Sequence, residues 1–395
     1  MSNSNFYSKN IFFEYAESVE LVHSGSDYFE KLKHLISTAQ KELHIQTYIF
    51  NTDQIGNSII EELIKAAQRN VKVFILLDGY GCSAFNPLTL QRLEKEKIHI
   101  RFFATLFSYG SIHLGRRLHH KIAVADEKKA IIGGINIADK YKGSTNERAW
   151  LDYAIQLEGI PCKKIQSICQ NFFFHNRLQT IYKFRKNSFT QLEGIPIRIK
   201  QNDWLNYNNQ IGKGYLKAIG KATSEIIIVG SYFLPGFKFR MALKNASQRG
   251  VNIKIILAGV SDVPLVKNAT SFFYSYFFRN HIEIYEWQHS ILHGKAAIVD
   301  KNWSTIGSYN INRLSNYSSI EMNIEIYSKI FSENFTNHLH EVLEKCEQID
   351  PQQYKAKNSW FNKFKNWLCF YLVRISSNIL TSFTYKRYFR DYSNH

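Results

Sequence analysis

The chain holds only five cysteines, six prolines and three methionines in 395 residues. Cys82, Cys162, Cys169, Cys346 and Cys369 are odd in number and scattered, and no two stand at C-x2-C spacing. Neither a disulfide framework nor a zinc site is therefore expected. No uncharged apolar run approaches the roughly 20 residues that a spanning helix needs. The opening MSNSNFYSKNIFFEYAES has no basic stretch followed by an apolar one, which argues against a secretory leader. A cytoplasmic protein that does not span a membrane is expected. Acidic residues are also in short supply: 33 Asp plus Glu face 50 Lys plus Arg, a formal charge of +17. That excess suits a polyanionic partner, either nucleic acid or an anionic lipid surface. An A·T-rich genome imposes the same richness in Lys, Asn, Ile, Phe and Tyr, so charge alone selects no partner. With 45% hydrophobic and 21% charged residues, the chain has the make-up of a folded protein of two or three domains.

What is present is one unit written twice. KAAQRNVKVFILLDG, Lys65 to Gly79, aligns with KNASQRGVNIKIILAG, Lys244 to Gly259, through A-x-x-R-x-V and a closing glycine. Each reads as a helix end followed by a strand. Asn70 and Gly250 fall just past the helix, where a left-handed residue is needed and these two types tolerate it best. Upstream, Glu42 to Phe50 matches Glu225 to Leu234; downstream, His99 to Phe103 matches His281 to Tyr285. Strands alternating with helices predict an α/β unit whose sheet is largely parallel, with helices on both faces. Two such halves would pack as a pseudo-twofold monomer.

The most similar pair of segments carries the chemistry. His119, Lys121 and Asp126 form H-x-K-x4-D, followed by Gly133, Gly134 and Asn136; His293, Lys295 and Asp300 repeat it, followed by Gly307, Ser308 and Asn310. In a strand, residues two apart face the same side, so each His projects with its Lys into whatever lies between the halves. One such motif is commonplace, since a lone strand histidine is usually a satisfied core residue. Two copies at identical spacing in a duplicated unit are not. An imidazole titrates near neutrality, so one can attack phosphorus while the other donates a proton to the leaving oxygen. The lysines and asparagines can hold phosphoryl oxygens. No carboxylate cluster suited to Mg2+ or Ca2+ accompanies them, and neither a metal nor a cofactor is expected.

The two motifs and their Gly-Gly/Ser-x-Asn tails resemble the paired motifs of the phospholipase D superfamily. That resemblance implies a ping-pong reaction through a phosphohistidine without metal, with His119 as the nucleophile and His293 as general acid and then base. It implies mainly supporting roles for Asp126 and Asp300. It also implies an acidic residue beyond each motif that orients a motif histidine, and Asp152 and Glu321 stand at the matching positions. LLDGYG (Leu76–Gly81), LDYAIQLEG (Leu151–Gly159), YFLPGFKF (Tyr232–Phe239) and LHGKAAIVD (Leu292–Asp300) further resemble bacterial cardiolipin synthases of the short B type. This likeness runs from about Glu20 to the tail. It implies phosphatidyl transfer between two phosphatidylglycerol molecules, with release of glycerol, at the cytoplasmic side of a bacterial inner membrane. Two residues depart from the pattern: Gln46 stands where Glu is common, and Asn312 where Asp is.

Expected boundaries are a first half at 1–190, a second at 191–350 and a tail at 351–395. The tail carries Lys355, Lys357, Lys363, Lys365, Arg374, Lys386, Arg387 and Arg390 against Asp391. Trp360, Phe361, Phe364, Trp367, Leu368, Tyr371 and Leu372 recur at helical spacing. Such a helix either lies in a membrane interface with its lysines toward anionic lipid, or packs on the body. The first half also has eight extra residues before its motif, within TLFSYGSIHLGRRLHH, which read either as an ordinary solvent-facing loop, the default, or as a rim loop that handles acyl chains or head groups. In that loop Arg116 and Arg117 are suited to bidentate phosphate contact. Phosphatidylglycerol and a membrane surface are the favoured partners, with no protein partner indicated. The alternatives are hydrolysis or transfer to another alcohol, a nuclease of the same superfamily, and a silent membrane-binding protein. Intact motifs oppose the last, and the absence of a nucleic-acid-binding module opposes the nuclease.

Overall fold

The computed structural model describes residues 13–105, 107–108, 111–112, 116–174, 193–203 and 208–393. In the first half seven strands form one sheet. Their order is Ser18–His23, Tyr153–Glu158, Lys129–Gly133, Lys121–Ala125, Glu42–Thr47, Lys72–Asp78 and His99–Phe103. The second half repeats that order with Ile195–Asp203, Ser319–Ile326, Trp303–Gly307, Lys295–Val299, Glu225–Gly230, Asn252–Ala258 and Ile282–Trp287. The strand Glu14–Ala16 crosses over to pair with the edge of the second sheet, against Ile195–Ile197.

The expectation of largely parallel sheets needs correction. Only the three strands at one end of each sheet run parallel. From each motif strand onward the pairing is antiparallel. The reason lies in connection length: three residues join Lys121–Ala125 to Lys129–Gly133, and a link that short can only reverse the chain.

The repeated helix-strand joint has a physical explanation. Helices Gln54–Gln68 and Phe237–Gln248 end at Arg69 and Arg249, and the next residues, Asn70 and Gly250, take φ of 67° and 85°. Each repeated arginine reaches to the end of a neighbouring helix. Arg69 Nη2 donates to the carbonyls of Ile36 and Ala39, at 3.1 and 3.4 Å. Arg249 Nη2 donates to those of Ile219 and Ala222, at 2.9 and 3.2 Å. A cation there satisfies orphan carbonyls and complements the helix dipole.

Each half has its own outer core between sheet and helices. A third core joins the halves, built from Ile122, Ile132 and Ile155 of one sheet, Ile227, Ile298 and Ile324 of the other, and the helices Pro161–Phe174 and Lys329–Glu344. Fully burying each such side chain contributes about 1.5–3 kcal/mol. The inner faces of the two sheets are thereby locked together, which fixes the cleft at their ends.

The tail forms a 34-residue helix, Trp360–Ser393, about 50 Å long at 1.5 Å per residue. It packs on the body along one stripe and leaves a second stripe exposed. Asn366, Cys369, Val373 and Ser377 are buried where the helix packs on the helix Pro264–Ser271, and Phe370 stacks on Phe272 with ring centroids 4.7 Å apart. A second stripe of Trp360, Phe361, Phe364, Trp367, Leu368, Leu372, Ile375 and Ile379 stands 41–77% exposed. The side chains of Lys386, Arg387, Arg390 and Asp391 lie outside the described residues. No described helix is long and apolar enough to cross a membrane. The rim-loop reading falls largely on residues 106, 109–110 and 113–115, which also lie outside them.

Candidate active site

Each motif histidine is set by the backbone of the opposite half. Leu118 pairs in parallel with Ile320, and His119 N donates to Ile320 O at 2.9 Å. Leu151 bridges to Leu292, and His293 N donates to Leu151 O at 2.8 Å. The segment ahead of His119 is held further by buried Asp78, which accepts from Leu118 N at 2.8 Å and from Tyr80 and Gly81 N at 2.9 and 3.0 Å. Asp78 is a positioning residue that the sequence reading missed; its only trace was the LLDGYG run.

The orienting carboxylates are also exchanged. His119 Nδ1 lies 2.9 Å from Glu321 Oε2, and His293 Nδ1 lies 2.6 Å from Asp152 Oδ2. The acid beyond each motif therefore serves the histidine of the other motif. Each pairing turns Nε2 of its ring away from the carboxylate, free to face a reacting phosphorus. Gly134 explains itself here, because a Cβ at that position would lie 2.3 Å from Asp152 Oδ1. Its counterpart Ser308 instead donates its hydroxyl to Glu321.

The lysines share the pocket of the histidines. Lys121 Nζ donates to His119 O at 2.9 Å, and Lys295 Nζ donates to His293 O and lies 3.0 Å from His293 Nδ1. Tyr48 packs on His119 and lies under Lys121 Nζ, while Tyr141, Trp150 and Tyr232 surround His293. Burial lowers both imidazoles below their ordinary value, and Lys295 and Lys121 lower His293 further. Burial likewise brings Lys121 down to about 7 and Lys295 to about 8, and pushes Asp152 up to about 7 against the pull of Lys295. Every shift removes charge from a dry cleft. An entering phosphodiester anion acts oppositely on the four basic groups, favouring imidazolium and ammonium.

A profile described as "Cardiolipin synthase, PLD-like domain" matches this chain twice, at residues 32–160 and 215–343, so each copy of the unit carries one match. Cardiolipin synthase B of Escherichia coli (strain K12) is 30% identical over 363 residues, which is 90% of this chain and 87% of that protein. The chain belongs to the cardiolipin synthase family. Minor cardiolipin synthase ClsB of Bacillus subtilis (strain 168) is 28% identical, over 91% of this chain and 89% of its own. In fold, the chain is similar to phosphatidylserine synthase of Haemophilus influenzae Rd KW20, with a TM-score of 0.71, 13% identity and coverage of 93% and 96% of the two chains.

Within this cardiolipin synthase family member, the remaining candidates divide by position. Asp126 and Asp300, grouped with the catalytic motif in the sequence, stand at the far end of the motif strands from the histidines. Asp126 accepts from the backbone N–H of Gln40, Lys41 and Glu42 at 2.7–2.9 Å. Asp300 accepts from those of Thr223, Ser224 and Glu225 at 2.8–3.0 Å, and from the Thr223 and Ser224 hydroxyls. Both anchor the start of the neighbouring strand. Asn136 is buried, accepting from Ile49 N at 3.2 Å and donating to Tyr141 OH at 2.7 Å; Asn310 accepts from Ser231 Oγ at 2.9 Å.

Arg116 is bidentate as its type suggested, but on the carboxylate of Asp203. Arg117 donates to Ala104 O at 2.7 Å and lies over the Tyr80 ring. Both guanidiniums thus hold the protein together. The two departures from the family pattern are structural as well. Gln46 Oε1 lies 3.0 Å from His120 Nδ1, and Asn312 caps the helix Arg313–Tyr317 through Ser315 N.

Proposed function

We propose that this chain makes cardiolipin by moving a phosphatidyl group from one phosphatidylglycerol to the hydroxyl of another. The observation that carries this reading is the pair of motif histidines in one cleft, each with its Nδ1 on a carboxylate of the other half. His119 Nε2 attacks phosphorus, the bond to the glycerol oxygen breaks, and that oxygen takes the proton of His293. Neutral His293 then removes the proton of the second phosphatidylglycerol's hydroxyl, whose oxygen attacks phosphorus and displaces His119. Lys121 and Lys295 neutralise the phosphoryl oxygens, with amide N–H groups of Asn136 and Asn310 beside them. Asp126 and Asp300 support the strands.

Purified protein given labelled phosphatidylglycerol alone is expected to form cardiolipin and release glycerol stoichiometrically, and to do so equally in EDTA, because the ammonium groups carry the phosphate charge. Resolution of the lipid products checks both statements. Phosphatidic acid as the sole product would make it a hydrolase, and loss of turnover in EDTA would put a divalent ion in the chemical step.

The outward stripe of the tail supports work at an anionic membrane surface. An exposed face of this kind, flanked by lysines, inserts into the head-group boundary. Removing the whole helix would also uncover Phe272 and Ala269, so substitution of the outward face is the cleaner change. Trp360→Ala, Phe364→Ala and Trp367→Ala together should lower binding to phosphatidylglycerol vesicles about 10-fold or more, from roughly 1.5–3 kcal/mol per apolar side chain when fully buried. Activity on detergent-dispersed substrate should persist. Unchanged vesicle sedimentation would place membrane contact elsewhere.

A further inference from the structure

Away from the cleft, the helix Ile211–Lys221 and the strands Ile195–Asp203 and Ser319–Ile326 border a half-open cavity of about 250 Å³. Five cations line it: Arg198, Lys200, Lys213, Lys217 and Lys221. Among the described residues lining it, Glu325 is the single acid. Glu325 is already held by Tyr327 OH at 2.8 Å and lies 3.9 Å from Lys200 Nζ, so one carboxylate faces five positive groups. The Arg198 guanidinium is laid over the rings of Phe13 and Tyr327, at 4.8 and 5.7 Å, which fixes its plane. Burial holds Lys200 below its ordinary pKa; burial, then Arg198 and Lys221, do the same to Lys217. Desolvation is the main cause of both shifts, and repulsion from the neighbouring cations adds to it.

The duplicated unit supplies an internal control. Arg198 stands opposite Glu325 in the second sheet as Glu20 stands opposite Gln156 in the first. The helices Ser26–Thr38 and Ile211–Lys221 both end one residue before an alanine C-cap. Counting back from those ends pairs Asp27 with Gln210, Glu30 with Lys213, Lys31 with Gly214 and His34 with Lys217. In the first half the site is closed by its own charges, since Lys31 Nζ bonds Glu20 at 2.9 Å and lies 3.3 Å from Asp27. In the second half Glu20 and Glu30 correspond to the cations Arg198 and Lys213, Asp27 corresponds to the neutral Gln210, and the bridging lysine corresponds to glycine. A Cβ on Gly214 would lie 1.9 Å from Glu325 Oε1, so the glycine makes room for that carboxylate where the first half has its bridging lysine. One copy of the fold has filled this place with a salt bridge; the other has emptied it and reversed its charge.

We propose that this cavity is a second, non-catalytic site for a phosphate group, best matched to a dianionic phosphomonoester, held by Arg198 and the lysines of the helix Ile211–Lys221. Several lysines acting as point charges and one oriented guanidinium are the donors that phosphate oxygens take. The phosphomonoester can belong to a lipid head group such as phosphatidic acid or to a soluble ester. The site requires nothing of the catalytic reading above.

Lys213 and Lys217 are exposed, so Lys213→Glu with Lys217→Glu reverses charge without disturbing a core; near-ultraviolet circular dichroism checks the fold. Equilibrium dialysis with labelled inorganic phosphate and with glycerol 3-phosphate is expected to find two sites per chain in the wild type. The double variant should keep the catalytic site and weaken the second at least 10-fold, with unchanged turnover of detergent-dispersed phosphatidylglycerol. Loss, in the variant, of extra retention on phosphatidylcholine vesicles that carry phosphatidic acid would identify a lipid ligand. Binding of the soluble esters without such a difference in retention would identify a soluble one. Equal stoichiometry and affinity in the two proteins, with no difference on vesicles, overturns the proposal.

Discussion

His119→Ala and His293→Ala are each expected to lower phosphatidyl transfer about 10³-fold or more, within the range that a lost general acid or nucleophile produces, while the fold survives. Nucleophile and proton donor are two roles on one phosphorus, and a single imidazole cannot occupy both positions. Lys121 and Lys295 are no substitute, because the proposed reaction already uses their ammonium groups to neutralise the phosphoryl oxygens. The two losses differ in kind when the leaving group needs no proton. With a p-nitrophenyl ester of phosphatidic acid, His293→Ala should still release nitrophenol once per chain and then stall with the phosphatidyl group on His119. No base remains to activate the acceptor. His119→Ala should give no burst at all. Mass spectrometry of the stalled protein locates the group. A burst from His119→Ala, with label on His293, would exchange the two roles, and near-normal turnover in either variant would remove the shared site.

The sequence made the chemistry legible because that chemistry is local. H-x-K-x4-D compresses a histidine, a lysine and a strand anchor into eight residues, and its recurrence needs no knowledge of the fold. The left-handed residues Asn70 and Gly250 were legible for the same reason. Sheet direction was read less well, since the alternation of apolar residues is the same in parallel and antiparallel strands. The three-residue gap after Ala125 held that information. The exchange of carboxylates between halves was not legible at all. Sequence spacing places Asp152 after the first motif and Glu321 after the second, and nothing in that order says that Leu151 bridges to Leu292 across the interface. Arg116 misled in another way: a residue type fit for phosphate is equally fit for Asp203, and only the fold brings Asp203 to it. Of the tail's two stripes only the exposed one was read, because the packed residues Cys369, Phe370 and Val373 interleave along the chain with it.

The exchanged carboxylates yield the sharpest test of that geometry. Asp152→Asn keeps the shape of the side chain but removes the charge that stabilises the imidazolium of His293, and it can turn an N–H toward Nδ1 where an acceptor is required. With phosphatidylglycerol, whose glycerol oxygen must be protonated to leave, the first transfer should fall about 10²–10⁴-fold. With the nitrophenyl donor the first transfer should remain close to normal, since no proton is demanded. Glu321→Gln disturbs His119, so it should slow the first transfer from both donors alike, because a misoriented nucleophile is poor whatever the leaving group. Ser308, which donates to Glu321, becomes a graded version: Ser308→Ala should show the Glu321→Gln pattern, at smaller amplitude. The two acids are thus separated by leaving group, a readout that general destabilisation would not split. If Asp152→Asn slowed both donors and Glu321→Gln spared the nitrophenyl ester, each acid would be serving the histidine of its own half, and the crossed arrangement would be wrong.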